Sequence, residues 1–161
     1  ISFSRDVVVD RFINKEGKES IVRRELRFID SFRFMSSSLD SLSKNLNKAQ
    51  CKNLGRIYSD NNQLDLLVGK KGIYPYEYLD HVARLNDTEL PPKSAFYSRL
   101  NDSDISDEDY EHAKSVWKCF GCKTLREYHN LYLIWDLLLL ADIFENFRDV
   151  CVKNYQLDPA W

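Results

Sequence analysis

A chain of 161 residues with 43% apolar and 13% aromatic side chains can fill one hydrophobic core, so disorder is not the default and one domain, or part of one, is the expectation. Its longest uninterrupted apolar run, Leu137 to Ala141, is too short to cross a bilayer, and no charged start leads into an apolar stretch as in a secretory leader. The net charge of −2 conceals a gradient: residues 1–56 carry 12 Lys and Arg against 7 Asp and Glu, residues 57–111 carry 5 against 12, and residues 112–161 carry 6 against 6. A basic first third could meet phosphate; an acidic middle would repel it.

In chain order, residues 1–35 read as two strands. Ile1-Ser-Phe-Ser alternates and Val7-Val-Val is β-branched, the run Ile21 to Ile29 resumes the pattern, and the polar, Gly-bearing stretch Asn14 to Lys18 suits a hairpin turn. The second run gives out at Asp30-Ser31-Phe32, and loops at strand ends are where α/β folds build sites. Ser36 to Ser38 cap a helix with Leu39, Leu42 and Leu46 on one face; residues 44–56 are polar, and a weaker helical stretch covers Leu64 to Val68. Gly69-Lys70-Lys71-Gly72 is a cationic turn, either simply solvated or presenting a lysine to phosphate as a point charge.

Ile73 to Asp80 is aromatic and broken by Pro75, which predicts an extended piece leading into a short helix. Leu90 to Tyr97 has polyproline character. The acidic stretch Asn101 to Glu111 fails as a calcium loop, because Asp107 and Ala113 stand where the Gly and the final Glu are required. It reads instead as a helix start: Ser106 caps, Asp107, Glu108 and Asp109 meet the helix dipole, and Tyr110, Ala113, Val116 and Trp117 form the buried face until Gly121 ends the helix.

The longest element is the helix expected over Leu125 to Tyr155. Thr124 is its N-cap, Glu127 completes a capping box, and nothing breaks it before about residue 155. Apolar residues on every face of its middle turns predict a helix buried all round. Asp136 then needs an explanation, since a core carboxylate is normally paired or holds a metal, and Tyr132 stands four residues before it on the same face. The alternative is a structural Asp capped by an Arg or a backbone donor.

Cys51, Cys119, Cys122 and Cys151 read as intracellular thiols. Cys119 and Cys122 lie between His112 and His129, but the second half of a zinc pattern is missing and no βαβ unit surrounds the pair for redox chemistry. The chain starts at Ile1 without a Met, and a sheet of two strands cannot support this much helix, so the expectation is a fragment with strands missing upstream.

Four segments carry a resemblance: Leu26 to Leu42, Lys70 to Asp80, Leu90 to Ser98, and Tyr128 to Asp142. Together they resemble the protein-primed branch of family B DNA polymerases, found in linear plasmids, viruses and large self-synthesising transposons, the last being most similar. The resemblance implies an α/β fold: residues 1–161 would be the later part of one RNase H-like 3′–5′ proofreading exonuclease domain, a β-hairpin followed mostly by helices with one long buried helix. Tyr132 and Asp136 match the family's third exonuclease motif, Y-x3-D. Asp136 would then be a ligand for a divalent cation, Mg2+ or Mn2+, in a site where two metals clamp the attacking and leaving oxygens of a phosphodiester, and Tyr132 would orient the water or the scissile phosphate. Lys71, with Lys70 second, matches a lysine that approaches that phosphate. Ser31 and Phe32 match a segment binding the single-stranded primer terminus, where an aromatic ring can stack on a base.

The implied partners are DNA, as primer end and template duplex, deoxynucleotides in the full-length protein, and a terminal priming protein; the implied compartment is intracellular, nuclear or mitochondrial. The resemblance places the motifs D-x-E and N-x2–3-[F/Y]-D upstream of these residues and the polymerase aspartates downstream, so the fragment alone should not hydrolyse DNA. Ile134-Trp135 stands where relatives carry a Lys-polar pair, and Gln156 where they carry a helix-ending Gly. Those departures fit a second reading, a non-catalytic remnant or a helical DNA-binding or interaction module.

Overall fold

The computed structural model describes residues 2–160; Ile1, the first residue of the expected alternation, lies outside them. Two antiparallel strands, β1 (Phe3–Ile13) and β2 (Glu19–Phe28), are followed only by helical and irregular segments. These are α1 (Phe32–Met35), α2 (Leu39–Ser43), α3 (Lys52–Ile57), α4 (Asn61–Leu67), 3-10 turns at Val82–Asn86 and Lys93–Phe96, α5 (Asp107–Cys119) and α6 (Leu125–Tyr155).

The hairpin turns where the polar stretch places it, with Gly17 at φ +77°, a conformation that a side chain would strain. Phe3 pairs with Phe28, and a bulge between Val8 and Asp10 keeps the alternation in phase. Phe3, Val7, Phe12, Val22, Leu26 and Phe28 therefore share one face, with Phe3 and Phe28 stacked at 4.5 Å. Arg5, Asp10 and Arg24 lie on that face too, while Asp6, Val8, Arg11, Ile21, Arg23, Glu25 and Arg27 share the other, so neither face is wholly apolar or wholly charged. Phe3, Phe12, Leu26 and Phe28 remain exposed.

α6 starts and stops as its residues dictate. The Thr124 hydroxyl accepts from the Glu127 amide at 3.4 Å, and the Glu127 carboxylate reaches back at 2.7 Å to the amide of Lys123 rather than to that of Thr124. At the far end Gln156 takes the left-handed conformation, φ +56°, that usually belongs to glycine. Between them α6 is the spine against which α2, α3 and the Val82–Asn86 turn pack. Leu125, Tyr128, Leu131, Tyr132, Trp135, Leu139 and Ile143 line its core side, with Leu54 and Leu67 from α3 and α4 and Ala113 and Val116 from α5. α5 begins as expected, the Ser106 hydroxyl accepting from the Asp109 amide at 3.0 Å, and ends at Gly121, φ +63°.

One expectation is corrected. α6 is not buried all round: Leu133 (59% exposed), Ile134 (41%) and Leu137 (64%) form an open apolar stripe, because the elements packed on it come from one side only. Moreover, α3 rises from a stretch that reads as polar.

Part of the core is polar, and α6 supplies it. The end of α4 and the irregular segments leave backbone carbonyls that no ladder satisfies, and side chains of α5 and α6 reach them. The Trp135 indole donates to the Leu67 carbonyl at 3.0 Å, the Tyr128 hydroxyl to the Ile73 carbonyl at 2.7 Å, and the Asn146 amide to the Gln50 carbonyl at 2.9 Å. His112 meets the Leu66 carbonyl at 2.8 Å, and its burial lowers its basicity.

Asp142 is the structural carboxylate of this core. Fully buried, it accepts the amides of Asn53 at 2.7 Å and Leu54 at 3.0 Å, two of the free donors at the start of α3. Cys51, the N-cap of α3, makes no side-chain cap of its own, so Asp142, 89 positions after Asn53, does the capping. Cys51 lies beside Asp142, and its thiol is pushed up to about 11, first by burial and then by that negative charge.

Candidate functional site

Tyr132 and Asp136 lie one turn apart on α6, and the Tyr132 hydroxyl donates to Asp136 Oδ2 at 2.8 Å. The second carboxylate oxygen, Oδ1, is buried and has no hydrogen-bond partner. Above the pair runs the segment Lys71 to Tyr76. A Cβ on Gly72 would come within 2.5 and 2.8 Å of the Tyr132 ring and 3.1 Å of Trp135, so the backbone crosses the ring where only glycine fits. Tyr74 stacks on the same ring at 4.6 Å, and the Tyr76 hydroxyl is hydrogen-bonded to the Tyr132 hydroxyl. His129 Nδ1 meets the Tyr74 hydroxyl at 2.7 Å, fixing the outer ring of the stack.

The electrostatics follow from this packing. Burial raises the Asp136 carboxyl above the ordinary carboxylate range, opposed by the Tyr132 hydroxyl, the positive charge of Lys71 and the Gly72 backbone. The Gly72 amide acts as a nearby dipole rather than as a bonded donor, since Oδ1 stays unpartnered. Tyr132 is shifted far upward, mainly by burial and then by its bonds to Tyr76 and Asp136, so it remains a neutral donor.

Of the two lysines, Lys71 is half-buried and acts on Asp136, whereas Lys70 turns outward and pairs with Glu108 at 3.8 Å. Tyr132, Asp136 and Lys71 are thus gathered in one place. Ser31 and Phe32 are not in it. Ser31 is the N-cap of α1, the Asp30 carboxylate accepts the Phe32 amide at 3.0 Å, and both Ser31 and Phe32 line a cavity of about 160 Å³ with Leu39, Leu42 and Leu140. Leu140 lies one turn beyond Asp136, about 6 Å further along the helix axis. Phe32 is 58% exposed there, free to meet a planar ligand.

Gly72, Tyr74 and Tyr76 escaped the sequence reading as neighbours of Asp136. The Lys-Gly step and the Tyr-Pro-Tyr run are both legible, but their contact with α6 spans more than 50 residues and no local periodicity encodes it. Cys119, Cys122, Cys51 and Cys151 are all free thiols, and both histidines flanking the Cys119–Cys122 pair are bonded elsewhere. Among the described residues no group of three or more His, Cys, Asp or Glu converges as a metal site, and no helix is long and apolar enough to cross a membrane.

Gly72→Ala tests how tightly the segment is held. An added methyl has to displace the Tyr132 ring, and overpacking of this kind costs about 1–3 kcal/mol. The expected result is a Tm lower by roughly 2–10 °C, with altered tyrosine near-ultraviolet dichroism. An unchanged Tm and spectrum would contradict the close approach.

Comparisons with protein-family models, with curated proteins and with solved structures return no match for this chain.

Proposed function

We propose that this chain is the later part of a 3′–5′ proofreading exonuclease domain of RNase H-like fold, belonging to a protein-primed family B DNA polymerase. The observation that carries the reading is the Asp136 carboxyl: one oxygen held by Tyr132, the other buried and unpartnered, beneath a turn bearing Lys71. Natural cores rarely leave a carboxylate oxygen orphaned, and when they do the reason is commonly an ion or a catalytic role.

A divalent cation, Mg2+ or Mn2+, fits Asp136 as one ligand, because it would take the orphaned oxygen and offset the burial of the charge. When bound, such cations stabilise charge on the oxygens of an in-line phosphoryl displacement. The remaining carboxylates would come from the D-x-E and N-x2–3-[F/Y]-D segments of the intact polypeptide. Tyr132 keeps a neutral hydroxyl whose one proton goes to Asp136 Oδ2; turned from the carboxylate once a cation holds it, that proton would orient a water or a phosphate oxygen. Lys71 brings a positive charge to the same place for an anionic strand. Ser31 and Phe32, one turn along, would receive the unpaired end of the primer.

The test is Asp136→Ala in the intact polypeptide, assayed on a 3′-mismatched primer. Excision should vanish while nucleotide addition on a matched primer continues. Excision at the wild-type rate would leave the second reading, a non-catalytic module in which the same pair is structural.

A further inference from the structure

Between the Lys71–Tyr76 segment and the loop after the Lys93–Phe96 turn lies a cleft of about 560 Å³ lined by four aromatic rings. Tyr74 and Phe96 are buried; Tyr76 and Tyr97 are exposed, one on each wall. Both exposed rings are held at their hydroxyl ends, Tyr76 by the Tyr132 hydroxyl and Tyr97 by the Asp102 carboxylate. The loop that carries Tyr97 is closed in turn by two backbone hydrogen bonds between Ser98 and Ser103, at 2.9 and 3.3 Å. At its tip Leu100 lines the same cleft and is 92% exposed. Rings and a loop fixed in advance lose little conformational freedom when another chain packs on them.

Charge decides what that chain must be. Residues 97–111 carry six carboxylates against one cation, Arg99. Asp102 and Asp104 flank the cleft-lining residues Asn101 and Ile105 and have no cationic partner among the described residues. Lys71 is the one cation among the described residues that line the cleft, and its charge acts on Asp136. An anionic ligand would therefore meet two uncompensated carboxylates, whereas a cationic side chain is drawn both to them and to an open tyrosine face. The fold already makes one such contact nearby, with the Arg84 guanidinium 4.5 Å from the centre of the Tyr78 ring.

We propose that this cleft docks a cationic peptide segment of a partner protein, an Arg or Lys side chain lying over the Tyr97 ring beside Asp102 and Asp104, and a neighbouring apolar side chain packing on Leu100 and Tyr76. Docking here is independent of the exonuclease reading, since nothing in it requires Asp136 to hold a cation. Affinity comes from the apolar anchor and the ring face, and the acidic loop selects for positive charge and speeds the encounter.

The experiment selects random hexapeptides displayed on phage against the intact polypeptide, then measures binding of the selected sequences as fluorescein-labelled synthetic peptides. The selected set should be enriched in Arg or Lys adjacent to a large apolar residue. Leu100→Ser and Asp104→Lys alter exposed side chains, so both variants should share the wild-type Tm. Leu100→Ser should weaken the best peptide by about 5- to 30-fold. Asp104→Lys should weaken it by about 3- to 10-fold at about 50 mM salt, a difference that shrinks as added salt screens the charge. A selection without enrichment, or one enriched in acidic peptides, overturns the docking cleft. Basic peptides that bind both variants as tightly as wild type also overturn it, because they bind elsewhere. Oligothymidylate bound in place of such peptides, and weakened by Leu100→Ser, overturns it in favour of an anionic occupant.

Discussion

Asp142→Ala should cost about 3–5 kcal/mol of stability, more than any other single substitution argued for this chain. The carboxylate is 1% exposed and accepts two backbone amides at 2.7 and 3.0 Å, those of Asn53 and Leu54. Hydrogen bonds to a charged acceptor contribute about 1.5–3 kcal/mol each, and truncation strands the buried Leu54 donor and frees the part-buried one of Asn53. Asp142→Asn should recover only part of the loss, because its amide nitrogen would face a donor where an acceptor is needed. Urea denaturation of the three proteins measures the differences directly. A loss below about 1 kcal/mol for the alanine variant would mean that α3 finds other partners.

Asp136→Asn should do the opposite to stability. Its carboxyl is raised in the folded protein, chiefly by burial, so the folded form binds the proton more tightly than the unfolded chain does. The carboxylate's penalty is therefore absent at low pH, grows as pH rises from the ordinary value of 3.8 through the raised one, and is fully present at neutrality. Asparagine still accepts the Tyr132 hydroxyl and carries no charge. The carboxyl is partly accessible, which discounts the effect, and the expected gain at pH 7 is about 1 kcal/mol, or roughly 2–4 °C in Tm. The advantage should fade as pH falls below the carboxylate range. In the intact polypeptide the same substitution should lower excision by roughly a thousandfold, the loss of about 4 kcal/mol that a metal-ligating carboxylate supplies to a phosphoryl transition state. Greater stability joined to lost excision identifies a group retained for chemistry. Equal or lower stability of the asparagine variant at pH 7 would mark Asp136 as structural.

Asp136 and Asp142, both on α6, also mark how far the residues could be read. Asp136 stands out because Tyr132 precedes it by one turn, a local spacing visible without any tertiary knowledge. Asp142 carries no such signal: its partners are backbone amides about 90 residues earlier, and any side chain could have supplied those amides. The caps of α5 and α6 and the hairpin turn were legible for the same reason as Asp136, since each is decided within four or five residues. The open stripe of Leu133, Ile134 and Leu137 was misjudged because apolar periodicity reports what a helix could bury, while burial depends on which elements arrive to cover it. Helix α3 was missed because Cys51 offers no cap; its start is specified from α6.

That remote specification sets the order in which the molecule can assemble as it leaves the ribosome. The hairpin closes on itself with a five-residue turn and can form early. Everything between it and α5 waits. Gln50 is satisfied by Asn146, Leu67 by Trp135 and Leu54 by Asp142, over separations of 96, 68 and 88 residues, and in each case the partner is synthesised later. Until α6 emerges, α2 and α3 lack the surface they pack on and α3 keeps free backbone donors, while α4 has only α5. This segment is therefore expected to fold only once α6 has been made, and a nascent chain stalled before residue 125 should be more sensitive to protease between the hairpin and α5 than one carrying α6.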